Sequence, residues 1–320
     1  MPFLVRRLLY SLFLLAGVSV LTFVLVDLAP GEFFDELRLN PRVSQATIAA
    51  LRSHYGLDLP LPAKYLRWLQ SAAKGECGFS FSYDSPAAPI VWRRAQNTLL
   101  LTGTATFFAW LLAVPFGIWS AAKPGKWSDL VVGGVVSALF AIPELILGLL
   151  LLWLAVRSGY FAVGGAASLS FSQLDFWSKS RDLARHLFLP SLCLTAGLFP
   201  LLLSHVRASM TVVLELPFIA AARGHGIPVR RLLLRHALPA AANPLISLFG
   251  LSLGALLSSS LVIEGLFGWP GLGPLFIEAI LQRDFYVVID AAVLAAIFMI
   301  FGNLLADVLL FAIDPRVREE

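Results

Sequence analysis

Residues 207–239 read RASMTVVLELPFIAAARGHGIPVRRLLLRHALP, a basic, glycine-punctuated stretch held between two long apolar runs. Five arginines (Arg207, Arg223, Arg230, Arg231, Arg235) stand against one acid, Glu215. Short loops rich in arginine stay on the cytoplasmic side of a membrane, so this stretch predicts an inner loop between two spans. A short alanine-rich helix is expected over Phe218–Arg223, ending at Gly224 and Gly226, residues that permit a sharp turn out of helix. A rigid knob of this kind suits a cytosolic partner.

Working outward, 58% of the 320 residues are hydrophobic and only 14% are charged. Soluble domains carry about 25% charged residues, and several windows here reach the roughly 20 apolar residues that cross a hydrocarbon core. The expected fold class is an all-α polytopic membrane protein. The formal charge of +4 is best read loop by loop, as arginines marking the inner face and its anionic lipid. No basic face stands clear of the bilayer, so no nucleic-acid partner is expected. The two cysteines, Cys77 and Cys193, fit neither a disulfide framework nor metal-ligand spacing.

Six spans are predicted: Leu8–Ala29, Thr98–Ala122, Val131–Val156, Leu187–Val206, Ala242–Ile263 and Val287–Ile313. Arg6 and Arg7 precede the first, which reads as a retained anchor because its apolar core is long and ends without a cleavage site. The tight turn Lys123-Pro-Gly-Lys126, the arginine-rich loop and the ending with Arg316 and Arg318 then all lie inside, giving an N-in, C-in chain. Segment 30–97 holds eight Lys/Arg and is nonetheless placed outside, because segments of that length cross largely regardless of charge. Its aromatic residues, Tyr55, Tyr65, Trp68 and Phe79, predict a small outer subdomain, helical around Ser44–His54 and Ala63–Ala73. The domain plan is a first helix (1–30), an extracytoplasmic segment (31–97), a five-helix core (98–313) and a cytoplasmic tail (314–320). Pro115, Gly117, Pro143, Pro200, Gly250 and Gly254 interrupt spans, as hinges or as ordinary membrane-helix residues.

The chain has no GxxxxGK[ST] phosphate loop; near Pro124-Gly-Lys-Trp127, Ser120 replaces the first glycine and Trp127 the Mg²⁺-binding hydroxyl. It should therefore not hydrolyse ATP and is not expected to be an enzyme. No metal site is expected from the five histidines, which form no ligand pattern. Of the ionisable residues in spans, Asp27, Glu144, Asp290 and Asp307, Glu144 is the candidate for lining a pathway, while Asp307 suits helix–helix hydrogen bonding with Asn303.

Beyond Gly226, Val229, Leu232, Leu233 and His236 share one helical face while Arg230, Arg231 and Arg235 occupy the other, predicting an amphipathic helix along the inner headgroups. The pattern Ala220-Ala-Ala-Arg-Gly-His-Gly226, nine residues, then His236-Ala-Leu-Pro239 resembles the EAA loop of binding-protein-dependent ABC importer permeases. Ala220 stands for the motif's Glu and His236 for its Ile, as in the dipeptide/oligopeptide/nickel branch. Stretches 55–69 (YGLDLPLPAKYLRWL), 75–80 (GECGFS), 265–288 and 303–318, and the opening span with its Pro30-Gly-Glu, are similar to further signatures of that branch.

The resemblance implies a type I ABC permease subunit of a bacterial or archaeal plasma membrane, forming half of a pathway for short peptides. It implies a second homologous permease, two cytosolic ATPases that bind ATP and Mg²⁺, and an extracytoplasmic solute-binding protein; this chain itself would carry no cofactor. Phe218, Ala220, Ala221, Ala222, Arg223, Gly224, His225 and Gly226 would form the ATPase-coupling helix. Trp269, Pro270, Gly271 and Gly273, in an outer turn with an interfacial tryptophan, would gate the outer mouth or receive the binding protein; a membrane-anchoring loop is the other reading. Nickel chelates, oligosaccharides or another small solute are alternative cargoes. An ion-coupled carrier working alone, or a non-transporting assembly subunit, are the readings from other classes.

Overall fold

The computed structural model describes residues 2–30 and 44–313. Its elements are α1 (Pro2–Leu28), α2 (Gln45–Tyr55), α3 (Leu61–Ala73), β1 (Phe79–Ser80), β2 (Ser85–Pro86), α4 (Ala87–Ala121), α5 (Trp127–Ala141), α6 (Glu144–Ser158), α7 (Phe176–Leu214), α8 (Pro217–Gly224), α9 (Val229–Leu232), α10 (Leu238–Ala240), α11 (Ala242–Leu266), α12 (Leu272–Leu281) and α13 (Phe285–Ile313). Five of these helices are long and apolar enough to cross a membrane, and α5 with α6 makes a sixth span if the bent pair is counted as one. The tail after residue 313, with Arg316 and Arg318, and positions 31–43 lie outside the described residues.

The third span departs from its prediction. A single helix over Val131–Val156 was expected; α5 and α6 instead meet at 94°. Pro143 is the cause. It disfavours helical backbone at the residue before it, and Ile142 is extended (φ −96°, ψ 114°). Pro115, Pro190 and Pro200 stay within unbroken helices. The fourth span, expected over Leu187–Val206, runs over Phe176–Leu214, 39 residues or roughly 58 Å. Asp175 starts it, its carboxylate accepting from the Trp177 N–H at 3.3 Å.

The chain divides into two compact units, one of residues 1–5, 99–269 and 299–320, the other of 6–98 and 270–298. In the first, α7 runs through the middle, packing on α5, α6 and α11 around Leu189, Leu194, Leu198 and Leu202. The α11 face against residues 299–313 is set by glycines. A Cβ on Gly250 would stand 2.7 Å from the Ala306 Cβ, and one on Gly254 2.9 Å from Met299 Cγ. The Gly250-x-x-x-Gly254 pair is thus a close-packing surface, the role small residues take where apolar surroundings provide no drive for association. Gly117 serves likewise, because a Cβ there would meet Val206 Cγ1 at 2.6 Å.

In the second unit the segment after α1 shares its core with membrane helices, Phe23 of α1 packing against Tyr65, Trp68 and Phe285. The predicted helices appear as α2 and α3. Ser44 caps the first through a 3.1 Å bond from the Thr47 N–H, and Gly56 ends it at φ +70°. A small subdomain is expected here, and its large apolar side chains share a core with α1, α12 and the start of α13. The Trp68 indole donates to Asp290 Oδ1 at 3.0 Å, and Ser80 Oγ to Asp284 Oδ2 at 2.6 Å. A two-residue hairpin, β1–β2, is an addition that the sequence did not suggest. Cys77 is a free thiol, pushed up to about 11 by burial and then by the nearby Asp290 charge.

Candidate coupling site

The arginine-rich loop begins where α7 ends. Leu216 precedes Pro217 and is extended (φ −68°, ψ 145°), so the chain leaves α7 and re-enters helix with Pro217 in the first turn of α8. On this eight-residue helix Ile219 is fully buried and Ala222, one turn later, half-buried. Both pack in a cluster with Val206, Met210 and Val213 of α7, and with Leu232 and Ala237. Burying an isoleucine contributes about 1.5–3 kcal/mol, so one face of α8 is pinned down. Phe218, Ala220, Ala221, Arg223, Gly224, His225 and Gly226 are exposed on the remainder.

The end of α8 is equally defined. The Gly226 N–H donates to Arg223 O at 3.0 Å and the Ile227 N–H to Ala222 O at 3.3 Å, the paired bonds of a Schellman motif. Gly226 carries the left-handed backbone this needs, φ +74°. Gly224 was expected to share the turn but stays helical, and it leaves the helix surface low.

After Pro228 the predicted amphipathic helix is divided. Val229–Leu232 is α-helical, Leu233–Ala237 is a π-turn, and Leu238–Ala240 resumes. The π-turn adds one residue per turn, so burial passes from Leu232 to Ala237, five residues on, while His236 is half-buried. Val229, expected on the apolar face toward the headgroups, is 63% exposed. Arg230, Arg231 and Arg235 are exposed, as their charge requires.

One residue escaped the sequence reading. Asp129 lies in the first turn of α5, just after the Lys123–Lys126 turn, and is buried. Its carboxylate accepts from Ser120 Oγ, from the Gly125 N–H at 3.0 Å, and from Arg207 through Nε at 2.8 Å and Nη2 at 2.9 Å. Asp129 therefore ties the tight turn to Arg207, on the last two turns of α7 before the coupling loop. An acid at the third helical position behind a Pro-Gly turn is a capping signal and could have been read as one.

The other candidates are placed as follows. Glu144 is the first residue of α6, at the break after Pro143, half-buried, its Oε1 2.8 Å from the point a Cβ on Gly197 would occupy. Cys193 Sγ donates to the Glu144 carbonyl at 3.5 Å. Trp269 is fully buried in the core of the first unit, its N–H bonded to Glu264 O at 2.8 Å. The expected interfacial tryptophan is thus a packing residue, and a membrane-anchoring role for it is excluded by that burial. In the second unit the Pro270 carbonyl accepts from Asn97 Nδ2 at 2.8 Å, and the Leu272 N–H donates to Thr98 Oγ1 at 2.8 Å; Gly271 and Gly273 are buried. Among the described residues no group of three or more His, Cys, Asp or Glu could hold a metal.

Residues 113–319 match the family described as binding-protein-dependent transport system inner membrane component, and residues 1–108 match its N-terminal companion. The chain belongs to this family. It is similar to the oligopeptide transport system permease protein AppB of Bacillus subtilis, at 34% identity over 99% of each chain. Similarity extends to the oligopeptide permease OppB of Mycobacterium tuberculosis and the glutathione permease GsiC of Escherichia coli, each 32% identical over 99% of this chain and 98% of the relative. Among solved structures, an inward-facing form of the MetNI methionine ABC transporter matches with TM-score 0.53 and 18% identity, covering 70% of this chain and 96% of that one, which shows a shared fold. This inner membrane component is therefore a multi-pass permease subunit of a transport system.

Proposed function

We propose that this chain is the permease subunit of an ATP-driven importer of short peptides, receiving force through α8. The supporting observation is a helix held to the core by Ile219 while Phe218, Ala220, Ala221, Arg223 and His225 face outward. Small alanines let a partner approach closely, and the arginine offers a charged hydrogen bond to a carboxylate. In this reading the loop lies in the cytosol, with both termini inside. Each of two ATPases, holding ATP and Mg²⁺, seats the coupling helix of one of two homologous permeases, and a solute-binding protein delivers cargo outside. The 269–273 turn forms part of the outer gate, and Glu144, at the break of a discontinuous span, faces the pathway.

Peptides are favoured as cargo because two of the relatives above are oligopeptide permeases and the third carries the tripeptide glutathione. The test is uptake by the assembled complex in proteoliposomes, with its binding protein outside and ATP on the ATPase side. Labelled di- to pentapeptides are expected to accumulate only with ATP. Accumulation of a nickel chelate or an oligosaccharide in their place would overturn the cargo. Uptake driven by an ion gradient without ATP would overturn the transporter class.

A further inference from the structure

The carboxyl of Glu144 is held against the central helix of the first unit. Helix α6 begins at Glu144, directly after the break at Ile142 and Pro143. Its first turn is drawn closely onto α7. Cys193 Sγ donates to the Glu144 carbonyl at 3.5 Å, and a Cβ on the buried Gly148 would stand 3.5 Å from the same sulfur. The Glu144 side chain then lies across Gly197, where a Cβ would come within 2.8 Å of Oε1 and 3.1 Å of Cδ. A glycine at this point lets the carboxyl approach the α7 backbone.

Gly197 is exposed, although it lies within the long apolar run of α7. Along that helix it stands roughly 18 Å from Arg185 and 15 Å from Arg207, so Glu144 reaches the middle of a hydrocarbon core about 30 Å thick. Among the described residues its carboxyl has no hydrogen bond and no ion pair. The nearest basic residues on these two helices are His205, roughly 12 Å of helix beyond Gly197, and Arg157, roughly 20 Å along α6. Helices α5 and α11, which also pack on α7, carry no basic residue. The basic residues outside the described ones, Arg38, Arg42, Arg316 and Arg318, stand in sequence beyond the ends of α1 and α13. An ionisable side chain at this depth with no cation of its own chain is costly to keep and marks a path for a charged solute.

We propose that Glu144 receives the α-ammonium group of the transported peptide as it passes mid-depth, an inference that rests on reading the chain as a peptide importer. Short peptides of different sequence share only a backbone and two charged ends. The ammonium end is the one a carboxyl attracts. Around the break the exposed side chains are apolar, Ile142 at 40% and Leu145 at 46%, so a passing charge needs a partner there. A metal ion is a poor occupant, since the described residues form no group of three or more ligands.

Uptake by the assembled complex in proteoliposomes, at saturating binding protein, provides the test. A tripeptide is compared with its N-acetylated form in the wild type, Glu144→Gln and Glu144→Asp. Glu144→Gln keeps the shape and removes the charge. It should slow the free tripeptide about tenfold, the effect of one charge-assisted hydrogen bond, and leave the acetylated form unchanged. All three complexes share one binding protein, so any preference of that protein cancels. Glu144→Asp, which keeps the charge on a shorter stem, should fall between. A tripeptide with a diazirine on its first side chain should label residues 193–197 in the wild type and not in Glu144→Gln. Three results would each overturn the assignment while ATP-driven peptide uptake stands: equal losses for both peptides, as pairing of Glu144 with another subunit would give; an unchanged rate in Glu144→Gln; or labelling of 193–197 that persists in that variant. Failure of the wild type to take up peptide with ATP would instead overturn the reading beneath it.

Discussion

Replacing Ala221 by glutamate is expected to abolish uptake while the protein still folds and reaches the membrane. Ala221 is exposed on α8, so the larger side chain displaces nothing within the chain. Glutamate is a good helix former, and its charge in the last turn of a helix costs only about 0.3–1 kcal/mol. The penalty falls on docking. A carboxylate forced into a desolvated contact without a counter-charge costs about 2–5 kcal/mol, a loss of roughly 30-fold to several-thousand-fold in occupancy. ATP-driven uptake should drop by at least that lower factor, and Ala221→Ser should stay near the wild type. The pair is preferable to substitutions at Gly226, whose φ of +74° would confuse a docking defect with backbone strain. Wild-type uptake by Ala221→Glu, at normal abundance, would show that this surface meets no partner.

Asp129→Ala is the second large effect, and it acts from within. The substitution leaves the Ser120 hydroxyl, the Gly125 N–H and the Arg207 guanidinium without their common acceptor. Hydrogen bonds to a charged group contribute about 1.5–3 kcal/mol each. The Arg207 part must be discounted, because that side chain is 46% exposed and water screens it. A net loss of roughly 2–4 kcal/mol remains, and it loosens the joint between the 123–126 turn and the part of α7 that leads into the coupling loop. Thermal unfolding of the purified complex should shift down clearly, with uptake per ATP hydrolysed falling as the joint loosens. Asp129→Asn, which keeps an acceptor but not the charge, should fall between, and Arg207→Ala should do less than Asp129→Ala. An unshifted melting curve for Asp129→Ala would contradict the clamp.

Much of this was legible in residues because the membrane leaves few options. Apolar runs of helical length must be helices, so the spans were found; their ends were not, because apolarity marks the bilayer and not the helix. Hence Leu187–Val206 was read inside a helix that runs on to Asp175 and Leu214. Composition could not separate Pro143, which breaks its span, from Pro190 and Pro200, which do not. That choice depends on whether neighbouring groups can satisfy the freed carbonyl, a tertiary matter. The knob between Phe218 and Gly226 was visible in its glycines and alanines, yet the residue that fixes it, Ile219, looks like any other apolar residue until its neighbours are known. Trp269 misled for the same reason. A tryptophan beside Pro-Gly suggests an interface, and only packing shows it enclosed. Asp129 was missed because its three donors come from positions 120, 125 and 207, two of them near in sequence and the decisive one far away.

The most direct test of the coupling surface places a photoreactive benzoyl-phenylalanine at Phe218, 46% exposed on α8, in the intact complex. Irradiation, followed by mass-spectrometric identification of the attached chain, should yield the cytosolic ATPase. Attachment to the solute-binding protein, or reaction with lipid alone, would place this loop elsewhere and contradict the account.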